Sequence, residues 1–333
     1  MSKLNSQLLH TMGDYRQGST KPSHPLGNGD LFNQQLQMLM MKRLPLKDQL
    51  LLRRYDNDRS QGLLAARRGQ VAIAEQSFTE AQTPLFMDTL SREGKLLHQV
   101  FLEQAVAYLD YSRQDFEQVY RRTHKALEID VILEEEYGYE ILLINRIQLM
   151  HNLVRTEARR QNWEQSIYLA FQLLAYLSRQ IETLPTPHPW GLERIARQPS
   201  ELVAAMFAQV MGEVALIMTS SDSEALLRNA DCAGIVQAMT TKQQSCHPRA
   251  EAWLLVKQAF VLQTTFLELA ADFLAEGRGD TPILWYTTVI DLLAVCNEMG
   301  ELDLSQEIIT DAATWQDLPH KLHLAFAQTS INK

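Results

Sequence analysis

The sequence predicts an all-α chain built of antiparallel helical hairpins, and three observations predict it. Strand signals are nearly absent, since no run of alternating Val, Ile or Thr is bounded by turn residues. Gly and Pro number only 14 and 11 in 333 residues, and Ala, Leu, Gln, Glu and Arg, all good helix formers, dominate. From about residue 48 to 180, helix-length segments alternate with short breaks that carry Gly, Pro, Asn or Asp. Apolar residues make up 46% of the chain, ample material for a core.

Each element follows in order. Residues 1–12 suit a short helix. Residues 13–30 read as a mobile linker, because Gly13, Gly18, Ser19, Pro22, Ser23, Pro25, Gly27, Asn28 and Gly29 are turn or loop formers. Leu31–Leu44 returns to a helical pattern, and its Met38, Met40 and Met41 suit adaptable contacts. That helix is expected to cap the first hairpin, to fold over its groove as a lid, or to pair with another chain. Pro45 opens the next helix. An N-terminal arm therefore spans 1–47 and helical hairpins span 48–182.

A Pro-rich connection is expected over 183–199, where Pro185, Pro187, Pro189, Gly191 and Pro199 cluster. An acidic helical region, 200–333, follows. Its helices are expected at Ser200–Thr219, Pro248–Glu276, Thr281–Glu298 and Asp303–Trp315, with a short piece in 221–245 and one more after Pro319. Leu202–Met218 is the most apolar tract. Gln209 and Glu213 interrupt it, and it falls short of the ~20 residues that a bilayer span needs, so a buried helix and no membrane partner are expected.

Internal repetition sharpens the reading. Arg68-Gly69-Gln70-Val71, Arg113-Gln114-Asp115-Phe116 and Arg160-Gln161-Asn162-Trp163 recur 45 and 47 residues apart. Each is an Arg, a turn, an apolar or aromatic residue, and then a small residue three positions on: Ala74, Val119 and Ser166. Met299-Gly300-Glu301-Leu302 is a weaker fourth copy. The turn joins two antiparallel helices, the aromatic wedges beneath the hairpin, and the small residue permits close helix approach. The Arg complements the dipole at the end of the first helix.

The first segment, through Gly62, Gly69, Ala74, Phe78 and Ala81, resembles a tetratricopeptide repeat. The second is similar through Ala107, Val119 and Ala126, and ends Ala126-Leu127-Glu128-Ile129-Asp130. The resemblance covers about 50–180 well and 283–315 weakly. Its departures are repeats eleven to thirteen residues longer than the usual 34, no first-helix Trp, and a closing Pro that is absent or early (Pro84). The resemblance implies a stack of hairpins, an α-solenoid whose concave groove holds a protein or peptide segment.

Chemistry-bearing constellations are scarce. No Gly-x-Ser-x-Gly elbow, phosphate-binding loop or His-Glu-x-x-His occurs. Cys246-His247 lies 14 residues past Cys232 and lacks the paired spacing of a zinc site, so it reads as a loop Cys and a surface His. His320 and His323 read as solvated, and Gly277-Arg278-Gly279-Asp280 as an ordinary helix-to-helix loop. Glu134-Glu135-Glu136 and Glu140 read as a solvated face, because consecutive helical residues diverge. No metal, cofactor or catalytic group is expected, and no enzyme.

Charge points instead to binding. Residues 1–180 carry 22 Lys+Arg against 21 Asp+Glu, and 181–333 carry 9 against 19, giving +1 and −10. The acidic half repels nucleic acid, and offers a surface for a further partner or a homodimer. Stacked in register, Arg68, Arg113 and Arg160 would form a column, with Arg121 and Arg122 nearby, able to clamp an acidic segment bidentately. Tyr137 and Tyr139 are candidates to line the groove. Three cysteines, Cys232, Cys246 and Cys296, without regular spacing suggest a reducing, cytoplasmic setting. The expected function is a non-catalytic scaffold or adaptor. The rivals are a ligand- or peptide-sensing regulatory module and an all-helical enzyme with dispersed residues.

Overall fold

The structure, a computed structural model, describes residues 3–23, 29–82, 89–186, 188–220 and 245–331. Those residues form fifteen helices and no strand, their one pairing of extended backbone being a single bridge between Ser23 and Gly279. The all-α expectation holds. Residues 221–244, with the expected short helix and Cys232, lie outside the described residues, as does Pro84.

The chain divides into two compact units. The first comprises Asn28–Asn162 and Ile181–Val203. It holds α2 (Gly29–Arg43), α3 (Leu46–Arg67), α4 (Val71–Ala81), α5 (Arg92–Ser112), α6 (Phe116–Tyr137), α7 (Leu142–Arg159) and the short α9 (Leu192–Ala196). The second comprises Met1–Gly27, Trp163–Gln180 and Ala204–Lys333. It holds α1 (Lys3–Ser19), α8 (Trp163–Leu177), all but the first turn of α10 (Ser200–Met218), α11 (Pro248–Val261), α12 (Phe266–Ala275), α13 (Pro282–Glu298), α14 (Leu302–Ala312) and α15 (His320–Ile331). These units cut across a division at residues 47, 182 and 199. The expected N-terminal arm is split between them. The Pro-rich stretch is folded into the first unit, where Leu184, Trp190 and Ile195 are buried.

In the first unit α3 packs on α4 and α5, α5 on α6, and α6 on α7. The hairpin turns share one backbone device. Gly69, Gln114 and Gln161 adopt left-handed φ of 72°, 64° and 63°. The N–H that follows each reaches back to a carbonyl five residues earlier: Gln70 to Ala65, Asp115 to Asp110, Asn162 to Glu157, at 2.9–3.0 Å. This is a Schellman ending, which satisfies carbonyls that the helix terminus leaves open. Gly300 (φ 74°) repeats it in the second unit, and Gln263 (φ 52°) does so where no glycine marked it. The small residues are buried as expected, Ala74 and Ser166 fully and Val119 nearly so, with Ser305 at the same offset from Gly300. A Cβ on Gly62 would lie 2.6 Å from the ring of Phe78, so the α3–α4 crossing needs that glycine.

The second unit corrects the reading of the N-terminus. The helix does not stop at residue 12 but runs to Ser19, through Gly13 and Gly18. Leu8, Met12 and Tyr15, one face at i, i+4 and i+7, are buried. The Thr11 hydroxyl donates to the Leu267 carbonyl at 2.9 Å, Tyr15 to Asp311 at 2.8 Å, and Arg16 holds Glu307 through two bonds of 2.6 and 2.7 Å. Tertiary packing on α12 therefore overrides the helix cost of two glycines.

Two further expectations change here. Arg278 is no ordinary loop residue: it lies 5.8, 5.8 and 5.5 Å from the ring centres of Trp285, Tyr286 and Trp315 and donates to the Ser19 carbonyl. His247 is buried, and its Nδ1 accepts the Ala250 N–H as the cap of α11. In the core, Lys257 of α11 meets Asp291 of α13 at 2.7 and 2.9 Å. Helix α10 is, among the described residues, the one helix long and apolar enough to cross a membrane, and two thirds of it is buried in the protein.

Candidate functional site

The hairpin geometry decides where the charged residues fall. Arg68, Arg113 and Arg160 each cap the C-terminus of a first helix, as their position before the left-handed residue dictates. All three are exposed. Arg113 pairs with Glu75 of α4. Arg160 pairs with Glu157 at 3.2 Å and lies over the Tyr120 ring. Arg121 is exposed on α6. Arg122 is turned inward and bonded to Glu103 at 2.8 Å and Asp110 at 2.7 Å. Burial works against its charge, but those two carboxylates hold its guanidinium above the usual range.

Tyr139 is fully buried and donates to Glu93 at 2.8 Å. Tyr137 is half-buried, and the Arg43 guanidinium covers both rings at 5.9 and 5.7 Å. Arg122 and Tyr139 thus join elements of the unit, while Arg68 and Arg121 face outward.

The glutamate cluster is not uniformly solvated. Arg146 of α7 reaches Glu134 at 2.8 Å, and Arg194 of α9 reaches both Glu134 and Glu135, at 3.2 and 3.0 Å. Two consecutive carboxylates converge because one guanidinium bridges them from a neighbouring helix. Burial pushes Glu134 up to about 7 against the pull of Arg146 and Arg194. Arg146 is itself fully buried, stacks over Trp190 at 4.3 Å and donates to the Pro189 carbonyl. These partners tie α6, α7 and α9 together. No group of three His, Cys, Asp or Glu able to hold a metal occurs among the described residues.

One face of α5, through Leu97, Phe101, Gln104, Tyr108 and Tyr111, lines two cavities. The larger, about 200 Å³, lies between α2, α3 and α5, with Leu52, Leu97 and Phe101 beside Asp56, Arg59 and His98. The imidazole Nε2 of His98 sits 2.9 Å from the Ala81 carbonyl, so that nitrogen carries the proton. Burial pushes the His98 pKa down to about 4.

The smaller cavity, about 50 Å³, is lined by Gln104, Tyr108 and Tyr111 of α5, Thr123 of α6, and Asn152 and Arg155 of α7. Gln104, Tyr108 and Tyr111 share a face because i, i+4 and i+7 coincide on a helix. The Gln104 amide nitrogen is buried and donates to no group among the described residues. The Tyr108 and Tyr111 rings lie 6.3 Å apart, and Arg67 covers Tyr108. No carboxylate lines this cavity. Amides, phenols and a guanidinium suit carbonyl or carboxylate groups. Both volumes fall below the ~300–1,000 Å³ of ordinary small-molecule pockets, and fit side chains of a larger ligand. Residue-level motifs gave no sign of this site; only the α5 spacing of 104, 108 and 111 marks it. No family model, curated protein or solved structure matches this chain.

Proposed function

We propose that this protein is a non-catalytic scaffold whose first unit binds a polypeptide segment along the face of α5 that lines both cavities. On this reading the hairpins are tetratricopeptide-like and stack as a short α-solenoid, with that face as its concave wall. The recurring Schellman turns and the buried small residue after each support the repeat. The observation that carries the binding role is the Gln104 amide, buried without an acceptor among the described residues beside Tyr108, Tyr111, Asn152 and Arg155. A buried donor left unsatisfied costs about 1–3 kcal/mol, and a backbone carbonyl or an acidic side chain of a bound segment would satisfy it. The hairpin-tip arginines are peripheral to this contact.

The test places a photo-cross-linking residue at Tyr111 and, as control, at exposed Glu117. A polypeptide partner cross-links from Tyr111 alone, and Arg155→Glu abolishes it without lowering the melting temperature. Arg68→Glu/Arg113→Glu/Arg160→Glu leaves it in place. Equal cross-linking from both positions, or none from Tyr111, sinks the proposal.

A further inference from the structure

We infer that α2 is an internal occupant of a helix-binding groove, displaced by a partner helix that fits the groove better. The inference rests on reading this face as a polypeptide-binding surface and adds how access to it is regulated. Between α3 and α5, Leu52, Leu97 and Phe101 form the apolar part of a trough that Asp56, Arg59 and His98 also line. Helix α2 lies over it through Asn33, Leu36, Gln37 and Met40. These positions, i, i+3, i+4 and i+7, are one helix face, the pattern by which an amphipathic helix docks in a groove.

The fit is incomplete. Of the α2 side chains from Leu31 to Arg43, Leu36 alone is buried. A cavity of about 200 Å³ separates α2 from the trough. The polar amides of Asn33 and Gln37 line it opposite Leu52, Leu97 and Phe101, where apolar side chains would fill it. The other side of α2, at Met38 and Leu39, borders an open hollow of about 380 Å³. Met38 and Met41 are each 57% exposed. Specific contacts concentrate at one end, where Arg43 pairs with Glu93 at 2.9 Å and Gln49 donates to the Met41 and Leu44 carbonyls.

These features define the competing occupant. It is an amphipathic helix from another protein, with large apolar residues where α2 has Asn33 and Gln37, and a basic residue where α2 has Arg43. Such a helix fills the trough, keeps the Glu93 contact, and gains what α2 forgoes. While α2 is seated, only the fraction of molecules with the groove open is competent to bind.

A fluorescent peptide of residues 29–44 carrying Asn33→Leu and Gln37→Leu tests this against three full-length chains. These are the wild type, a weakened chain (Leu36→Ser/Met40→Ser) and a strengthened chain (Asn33→Leu/Gln37→Leu). The peptide is expected to bind the weakened chain about tenfold more tightly than wild type, and the strengthened chain about tenfold more weakly. The strengthened chain should also melt higher. A peptide with Leu36→Asp and Met40→Asp should bind none.

Equal affinity for all three chains overturns the inference and leaves the surface a binder of helices. No binding to any chain, with the Tyr111 cross-link intact, overturns the inference alone. Self-association of the weakened chain in sedimentation would assign the groove to a second copy and overturn the assigned partner. If the weakened chain does not fold, the strengthened chain decides: unchanged peptide affinity and melting temperature overturn the inference.

Discussion

A methyl group built on Gly18 would lie 1.8 Å from the carbonyl oxygen of Leu274. The obstacle is backbone, so it cannot swing aside as a side chain would. Gly18→Ala is expected to cost about 2–3 kcal/mol by forcing α1 off α12. Gly13, in the same helix, has nothing within 4 Å of its would-be Cβ. Gly13→Ala should therefore stabilise by about 0.8–1 kcal/mol, the ordinary helix-propensity gain. Urea unfolding of the two variants should give opposite signs. The same sign in both would show that α1 is not seated as described.

The left-handed turns make a second prediction. Gln114 and Gln161 occupy φ of 64° and 63°, a region that glycine enters without a Cβ penalty. Gln114→Gly and Gln161→Gly should each stabilise by roughly 0.5–1 kcal/mol. Gly69→Ala and Gly300→Ala, at 72° and 74°, should each destabilise by about 1 kcal/mol. Thermal melts of the four single variants check this.

His98 gives a pH dependence. Its pKa is 6.5 when exposed and is pushed down to about 4 by burial. Between those values the unfolded chain binds a proton that the folded chain does not, so stability falls as pH drops from about 6.5 to about 4. The loss is about 3 kcal/mol once pH is below both values. His98→Gln keeps an N–H for the Ala81 carbonyl and should flatten that part of the stability profile. Parallel profiles for variant and wild type would mean that His98 is accessible to protons in the folded state.

The Lys257–Asp291 pair makes the fourth. Only 3% and 6% of the two side chains are exposed. Lys257→Met strands a buried carboxylate, and should cost about 3–5 kcal/mol. Lys257→Met/Asp291→Leu removes both charges and should recover most of that loss. Calorimetry of the single and double variants measures the difference. A double variant as unstable as the single would mean that the pair does more than satisfy itself.

Local rules made the hairpins legible and left the binding face obscure. Gly69, Gly300 and the residues after Gln114 and Gln161 announce turns through backbone chemistry that belongs to single positions. The Gln263 turn carries no such mark, and its neighbours on either side read as one helix. Along the chain Gly13 and Gly18 argue for a loop, and only the bulk of α12 rewards a helix there. Arg122 and Tyr139 look like ligand-binding groups in isolation. Glu103, Asp110 and Glu93, which engage them, come from other helices and cannot be seen along the chain. Conversely Gln104, Asn152 and Arg155 are ordinary helix residues, and only the meeting of α5 and α7 gives them a common cavity.

The seating of α1 also bears on how the molecule is made. Thr11 and Leu267, joined by a hydrogen bond, are 256 residues apart in the chain. At about 5–20 residues per second on the ribosome, α1 emerges roughly 10–50 s before its partner helix exists. Leu8, Met12 and Tyr15 spend that interval without the surface that buries them. The first unit has all its segments by Val203 and can assemble during synthesis. The second closes only when the helices after residue 204 arrive, so the nascent protein passes through a state in which the first unit can fold while α1 waits, with or without a chaperone, for α12 to be made.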